Sequence, residues 1–123
     1  MLADGVHHVS FCVSDLARSR DFYEQVLGLV PIERPDLGLP GVWYAAGNAE
    51  LHLIQTPEGV DVGTPAEALT PLANHSAFAI DDYAATLRHF ESWQLEIFET
   101  SPEVGQLWVR DPDGNVLEFI TRR

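Results

Sequence analysis

The sequence predicts an α+β fold: two tandem β-α-β-β-β modules that form a curved eight-stranded mixed sheet around a concave cleft, with helices outside. Three observations predict it. Residues 8–23, HVSFCVSDLARSRDFY, align without a gap on residues 75–90, HSAFAIDDYAATLRHF, so His75 falls on His8, Phe78 on Phe11 and Asp82 on Asp15. Each copy is followed by three short runs with strand character, separated by turn residues. Between the halves lies PEGVDVGTPAEALTPL, 57–72, whose prolines and glycines read as a linker. The expected layout is a first module over 1–56, the linker over 57–72 and a second module over 73–123, all in one structural domain. Four strands are too few to close a barrel, which is why two modules are set side by side.

The elements follow in order. VHHVSFCV, 6–13, alternates two faces, with His8, Ser10 and Cys12 on one and His7, Val9, Phe11 and Val13 on the other. Ser14 is the expected N-cap of a helix that runs to about Leu27, burying Leu16, Tyr23, Val26 and Leu27. Gly28 ends it as a left-handed cap. LVPIE, 29–33, is an edge strand because Pro31 has no amide hydrogen. RPDLGLPG is a loop, and VWYAA (42–46) and ELHLIQ (50–55) form a hairpin around GNA. In the second half HSAFAI (75–80) is a strand, and Asp81 or Asp82 caps a helix that runs to about Trp93. LEIFE (95–99), QLWVR (106–110) and VLEFIT (116–121) are strands, the last two joined by the turn DPDGN.

Composition narrows the function. The chain has 123 residues, with seven basic residues, all arginine, against nineteen acidic ones, for a net charge of −12. Such a field repels nucleic-acid phosphates. The lack of lysine removes Schiff-base and P-loop chemistry. The single Cys12 excludes an internal disulfide. No run is long enough to span a membrane, and no basic-then-apolar leader opens the chain, so a soluble, cytoplasmic protein is expected.

Four positions carry candidate chemistry. His8 and His75 open equivalent strands. LHLI (51–54) aligns with LEFI (117–120) once one residue is inserted, which sets His52 on Glu118. Imidazoles and a carboxylate on rigid strands suit a divalent transition metal, so His8, His52, His75 and Glu118 are the expected ligands. Glu50, two residues from His52 on the same face, competes with it for the role. His7 points to the opposite face, His89 lies on a helix flank, and Cys12 reads as a small apolar filler. Trp43, Tyr44 and Trp108 could line an aromatic cleft for a substrate.

With these residues in view, HHVSFCVSDLARSRDFYEQVLGL, NHSAFAIDD and DPDGNVLEF resemble the vicinal oxygen chelate superfamily of glyoxalases, bleomycin resistance proteins and extradiol dioxygenases. The resemblance implies His8 and His75 as the first- and fifth-strand metal ligands and Glu118 as the last-strand carboxylate. The fourth-strand ligand falls on His52 or Glu50. It implies a divalent metal (Zn, Ni, Mn, Co or Fe) that chelates two neighbouring oxygens of a small molecule, with Glu118 or Glu50 moving a proton. A glyoxalase I-like lyase or isomerase is the foremost expectation. An extradiol-type Fe(II) dioxygenase and a metal-free antibiotic-binding protein are the alternatives. His52 stands where glutathione-dependent glyoxalases carry a carboxylate, and Trp108 stands where extradiol enzymes carry a tyrosine. A homodimer is expected, as in many members of this superfamily.

Overall fold

A computed structural model describes residues 2–122. Two compact units meet in sequence between Gly63 and Thr64, inside the proline- and glycine-rich segment. Each holds one four-stranded mixed sheet.

In the first module β1 (His8–Val13) leads into a helix α1 (Leu16–Asp21) that widens into a π-helical turn over Phe22–Val26. Short β2 (Pro31–Ile32), β3 (Gly41–Ala46) and β4 (Ala49–Gln55) complete it, in the spatial order β1-β4-β3-β2. The β1–β4 pair is parallel and the other pairs are antiparallel. One sheet face carries Val13, Val42, Tyr44, Leu51 and Leu53, all buried, together with Phe22, Tyr23 and Val26 of the helical segment. The π turn is where the sequence reading, an unbroken α-helix, departs from the structure. Phe22 and Tyr23 are adjacent yet both buried, and the wider turn, closed by Leu27 N–H to the Phe22 carbonyl at 3.1 Å, lets both rings reach the apolar layer. Gly28 then caps the segment at φ +72°.

The cap residue also differs from the expectation. Asp15, not Ser14, receives the Arg18 amide on its side chain, because the helix starts one residue later than Ser14 would allow. Ser14 contributes its carbonyl, which accepts from Gln55 Nε2 at 2.7 Å, while Gln55 Oε1 accepts the Leu16 amide at 2.9 Å. The end of β4 thus clips the start of α1.

The second module repeats the order: β5 (His75–Ile80), α2 (Tyr83–Ser92), β6 (Phe98–Glu99), β7 (Gln106–Arg110) and β8 (Val116–Thr121), arranged β5-β8-β7-β6. Asp82 caps α2 through the Ala85 amide at 2.9 Å. Its core is Tyr83, Phe90, Leu107, Val109, Leu117 and Phe119, with the Phe90 and Phe119 rings edge to face. The turn after β7 is built on buried Asp111. Its Oδ1 accepts the amides of Asp113 and Asn115, its Oδ2 accepts Asn115 Nδ2, and Gly114 supplies φ +90°. Both outer strands, β2 and β6, shrink from the expected five residues to two. Pro31 cannot donate to a ladder, and Phe98 and Glu99 are exposed at an edge.

Candidate metal and ligand face

In each module the sheet face opposite the apolar layer carries the polar candidates, because alternate residues of a strand point to opposite sides. The ladders fix which positions are equivalent. In the first module Ser10 pairs with His52 and Trp43 pairs with His52. In the second Ala77 pairs with Glu118 and Trp108 pairs with Glu118. Since Ser10 and Ala77 are repeat equivalents, His52 and Glu118 occupy the same rung. Glu50 lies opposite His8, and the matching position opposite His75 is Val116. The one-residue insertion needed to align the last strands is therefore real, and it makes His52, not Glu50, the counterpart of Glu118.

The second module holds a compact pair. His75 Nε2 lies 3.0 Å from Glu118 Oε1, and the two side chains are 23% and 9% exposed. His75 Nδ1 lies 2.7 Å from the Ala73 carbonyl. A carbonyl only accepts, so Nδ1 carries the hydrogen, and a neutral ring then aims the Nε2 lone pair at a carboxylate oxygen. Two acceptors this close require a proton or a cation between them. Gln106 Nε2 reaches the other oxygen, Oε2, at 3.4 Å. A ring nitrogen anchored by a carbonyl, with its partner nitrogen facing a carboxylate, is a donor set that suits a divalent metal, since metal-binding histidines commonly spend their second nitrogen in this way. Beside the pair Trp108 is 2% exposed, packed with Leu69, Val116 and Ala73. Its Nε1–H is buried without a hydrogen-bond partner among the described residues.

The first module holds a stack instead. The Trp43 and His52 rings are 4.2 Å apart and 7° from parallel, and His52 and His8 are 4.1 Å apart at 14°. His52 is buried, and its Nε2 lies 2.9 Å from Glu50 Oε1. His8 is exposed, with Nδ1 2.8 Å from His7 Nδ1. His8 and His52 are therefore neighbours, as their shared face predicts, but His52 Nε2 is already satisfied by Glu50. Among the described residues no three His, Cys, Asp or Glu side chains are grouped so as to hold a metal ion, and the donors of each module stand as pairs.

The aromatic candidates separate. Trp43 is half-buried on the His52 face. Tyr44, one residue on, is fully buried on the opposite face, where its ring stacks with Tyr23 and its hydroxyl donates to Glu24 Oε2 at 2.8 Å. The same Glu24 oxygen accepts Arg20 Nε at 2.6 Å. The Arg20 bond holds the Glu24 carboxyl below its ordinary range, with Tyr44 adding to this against the effect of burial. Burial first, then the bond to Glu24, pushes the Tyr44 phenol above its ordinary range. Sequence reading missed this Arg20–Glu24–Tyr44 cluster. Its only local signal is the i, i+4 spacing of Arg20 and Glu24.

Comparison with known proteins follows the same line. The family model described as Glyoxalase/Bleomycin resistance protein/Dioxygenase superfamily matches residues 5–119. The chain is 29% identical over 120 residues to "Glyoxylase I 4" of Arabidopsis thaliana, spanning 93% of this chain and 68% of that protein. It shares its fold with a crystal structure of a glyoxalase family protein from Bacillus anthracis, at TM-score 0.78 and 24% identity, over 98% of this chain and 97% of the other. It shares it too with TnmS3, an antibiotic binding protein from Streptomyces sp. CB03234, at TM-score 0.73 and 20% identity, over 100% and 99%.

Proposed function

The chain belongs to the Glyoxalase/Bleomycin resistance protein/Dioxygenase superfamily, and from that premise we propose that it is a metal-dependent, glyoxalase I-like lyase or isomerase acting on a small molecule with neighbouring oxygens. The observation that carries the reading is the His75–Glu118 pair, with Nδ1 tied to the Ala73 carbonyl and Nε2 turned to the carboxylate. His75 and Glu118 are the donors of the second module. His8 and His52 hold the equivalent places in the first, where His52 Nε2 is bonded to Glu50. A bound divalent ion supplies Lewis-acid polarisation of the two oxygens and lowers the pKa of a proton on the adjoining carbon.

The chain's own groups do the rest. The Ala73 carbonyl fixes the tautomer and orientation of His75. Gln106 steadies Glu118 Oε2 and so aims Oε1. Glu118 is the carboxylate that takes and returns the substrate proton, and Glu50, one-third exposed, is the alternative base. Trp43 offers its flat face on the ligand side. A homodimer is part of this proposal, as is typical of the superfamily.

The test is proton exchange. In D2O, with the metal-loaded protein, a panel of 2-hydroxy- and 2-oxo-carbonyl compounds is followed by NMR for loss of the α-proton signal. Exchange that Glu118→Gln abolishes supports the reading, and a panel with no exchange above buffer overturns it.

A second reading rests on a different observation. The His8–His52–Trp43 stack, with His52 already bonded to Glu50, is an aromatic platform that needs no metal, and the TnmS3 likeness in fold fits a binding protein. Binding of a planar aromatic drug by EDTA-treated protein, without turnover, distinguishes it.

A further inference from the structure

We propose that Arg34 is an anion-recognition residue on the ligand face of the first module, and that it selects small molecules that carry a carboxylate. The inference extends the small-molecule reading above and rests on that reading only for the identity of the face.

Three observations carry it. First is placement. The β2–β3 ladder pairs Pro31 with Tyr44 and Ile32 with Trp43. Continued past the formal strand end, the same register sets Arg34 opposite Gly41. Alternation then puts Arg34, Ile32, Gly41 and Trp43 on one face, and the β3–β4 ladder adds His52, the partner of Trp43. Second is contact. A Cβ at Gly41 would lie 2.5 Å from the Leu53 carbonyl oxygen, 2.9 Å from the Arg34 terminal nitrogen and 3.0 Å from its guanidinium carbon. The guanidinium therefore packs against the Gly41 backbone, sharing with the Leu53 carbonyl the space that a side chain at position 41 would need. It lies over the sheet about two residue rises from Trp43, on the order of 7 Å along the strand.

Third is the missing partner. Among the described residues Arg34 has no ion pair or hydrogen bond, and its Nε is buried and unsatisfied. This is in a chain with nineteen acidic residues. Arg20, Arg110 and Arg122 each pair with a carboxylate, and of the described arginines without an ion pair Arg18 and Arg88 are exposed while Arg34 is half-buried with an unsatisfied Nε. A half-buried cation left without an anion is costly and is relieved when a ligand supplies one. A guanidinium matches a carboxylate by a planar, two-bond fork. The strong negative charge of the chain disfavours phosphate esters, whose second charge a single arginine leaves uncompensated.

The second module lacks this device. At the same rungs it carries Thr100 and Gln106, where Thr100 bonds to the Gln106 carbonyl and Gln106 turns to Glu118. Arg34 with Gly41 is thus a specialisation of the first copy.

Mandelate and its methyl ester are suitable probes, since both offer a ring and neighbouring oxygens but only the acid offers a carboxylate. Calorimetric titration is run on protein as purified and again after EDTA, with metal content measured on the same samples. Wild type binds mandelate at least about tenfold more tightly than methyl mandelate, as expected for a charge-assisted two-bond contact. Arg34→Met and Arg34→Gln bring the ratio within about twofold, and Arg34→Lys keeps an intermediate ratio. An unchanged ratio in both neutral variants, equal affinities in wild type, or no mandelate binding at all overturns the proposal. Arg34-dependent selectivity that survives EDTA, in protein that takes up no metal, upholds the proposal while the metal reading alone fails.

Discussion

The two modules share a backbone and differ in what they mount on it. Glu118, bonded to His75 in the second module, is matched on the equivalent rung of the first by His52, which stacks on His8. The indole opposite that rung is deeply buried as Trp108 and half-buried as Trp43. The strand end that carries Thr100 and Gln106 in one copy carries Arg34 and Gly41 in the other. The β-ladder was retained through the duplication because slipping a strand by one residue would turn its apolar face to water. The side chains on the open face are free of that constraint, so chemistry diverged there. One copy became a histidine–carboxylate pair and the other a ring stack.

The indoles give the largest expected contrast. Trp108→Ala removes a buried ring packed on Leu69 and Val116, and should cost about 3–5 kcal/mol in urea unfolding. Trp43→Ala should cost about 1 kcal/mol, mostly the lost stacking on His52. Equal losses would break the distinction between a buried and an open ligand face.

Next come the tyrosines that join helix to sheet. Tyr44→Phe strands Glu24 with Arg20 alone and should cost about 1–3 kcal/mol, because it removes a hydrogen bond to a charged group. Tyr83→Phe, which gives up the 2.6 Å bond to Glu99, should cost about 1 kcal/mol.

The pH dependence sharpens the same comparison at both ends of the scale. Burial and the Glu99 bond push the Tyr83 phenol up to about 12. The unfolded phenol titrates near ~10, so this contribution is whole below ~10 and is lost as pH rises from there to about 12. Tyr83→Phe should flatten that alkaline loss. Glu24 is shifted the other way, downward, chiefly by Arg20. Its contribution is whole above the ordinary carboxylate range, near ~4.3, and is lost as pH falls through the lower folded value. Glu24→Gln should remove that acid-side slope in stability-against-pH curves. Smallest is Glu50→Gln, which keeps an oxygen acceptor for His52 and should change thermal stability by under about 0.5 kcal/mol.

Much of this was legible in the chain. The repeat predicted the same order of elements in both halves, and β5, β7 and β8 fall on the residues that alternation and turn signals marked. The equivalence of His52 with Glu118 was legible as well, at the cost of one inserted residue. What escaped was set by packing. The π turn answers to two adjacent aromatics that must both be buried. Asp15 displaces Ser14 as cap because Gln55, from the far end of β4, settles where α1 begins. Tyr44 reads as a cleft aromatic beside Trp43, yet strand alternation turns it inward to Glu24. Arg34 stands in a loop in the sequence, and its contact with Gly41 across the ladder shows only in the structure.

Metal retention tests the proposal most directly, that the His75–Glu118 pair of the second module binds a divalent ion. Wild-type protein and the His75→Ala, Glu118→Ala, His8→Ala and His52→Ala variants are loaded with Ni, Zn, Mn, Co or Fe(II), dialysed, and measured by elemental analysis, with circular dichroism as the folding check. The account predicts stoichiometric metal in wild type and loss of at least about 100-fold in affinity in the folded His75 and Glu118 variants, beyond what an outer-sphere change produces. Full metal content in the folded His75 and Glu118 variants, or none in wild type with any of the ions, would contradict it.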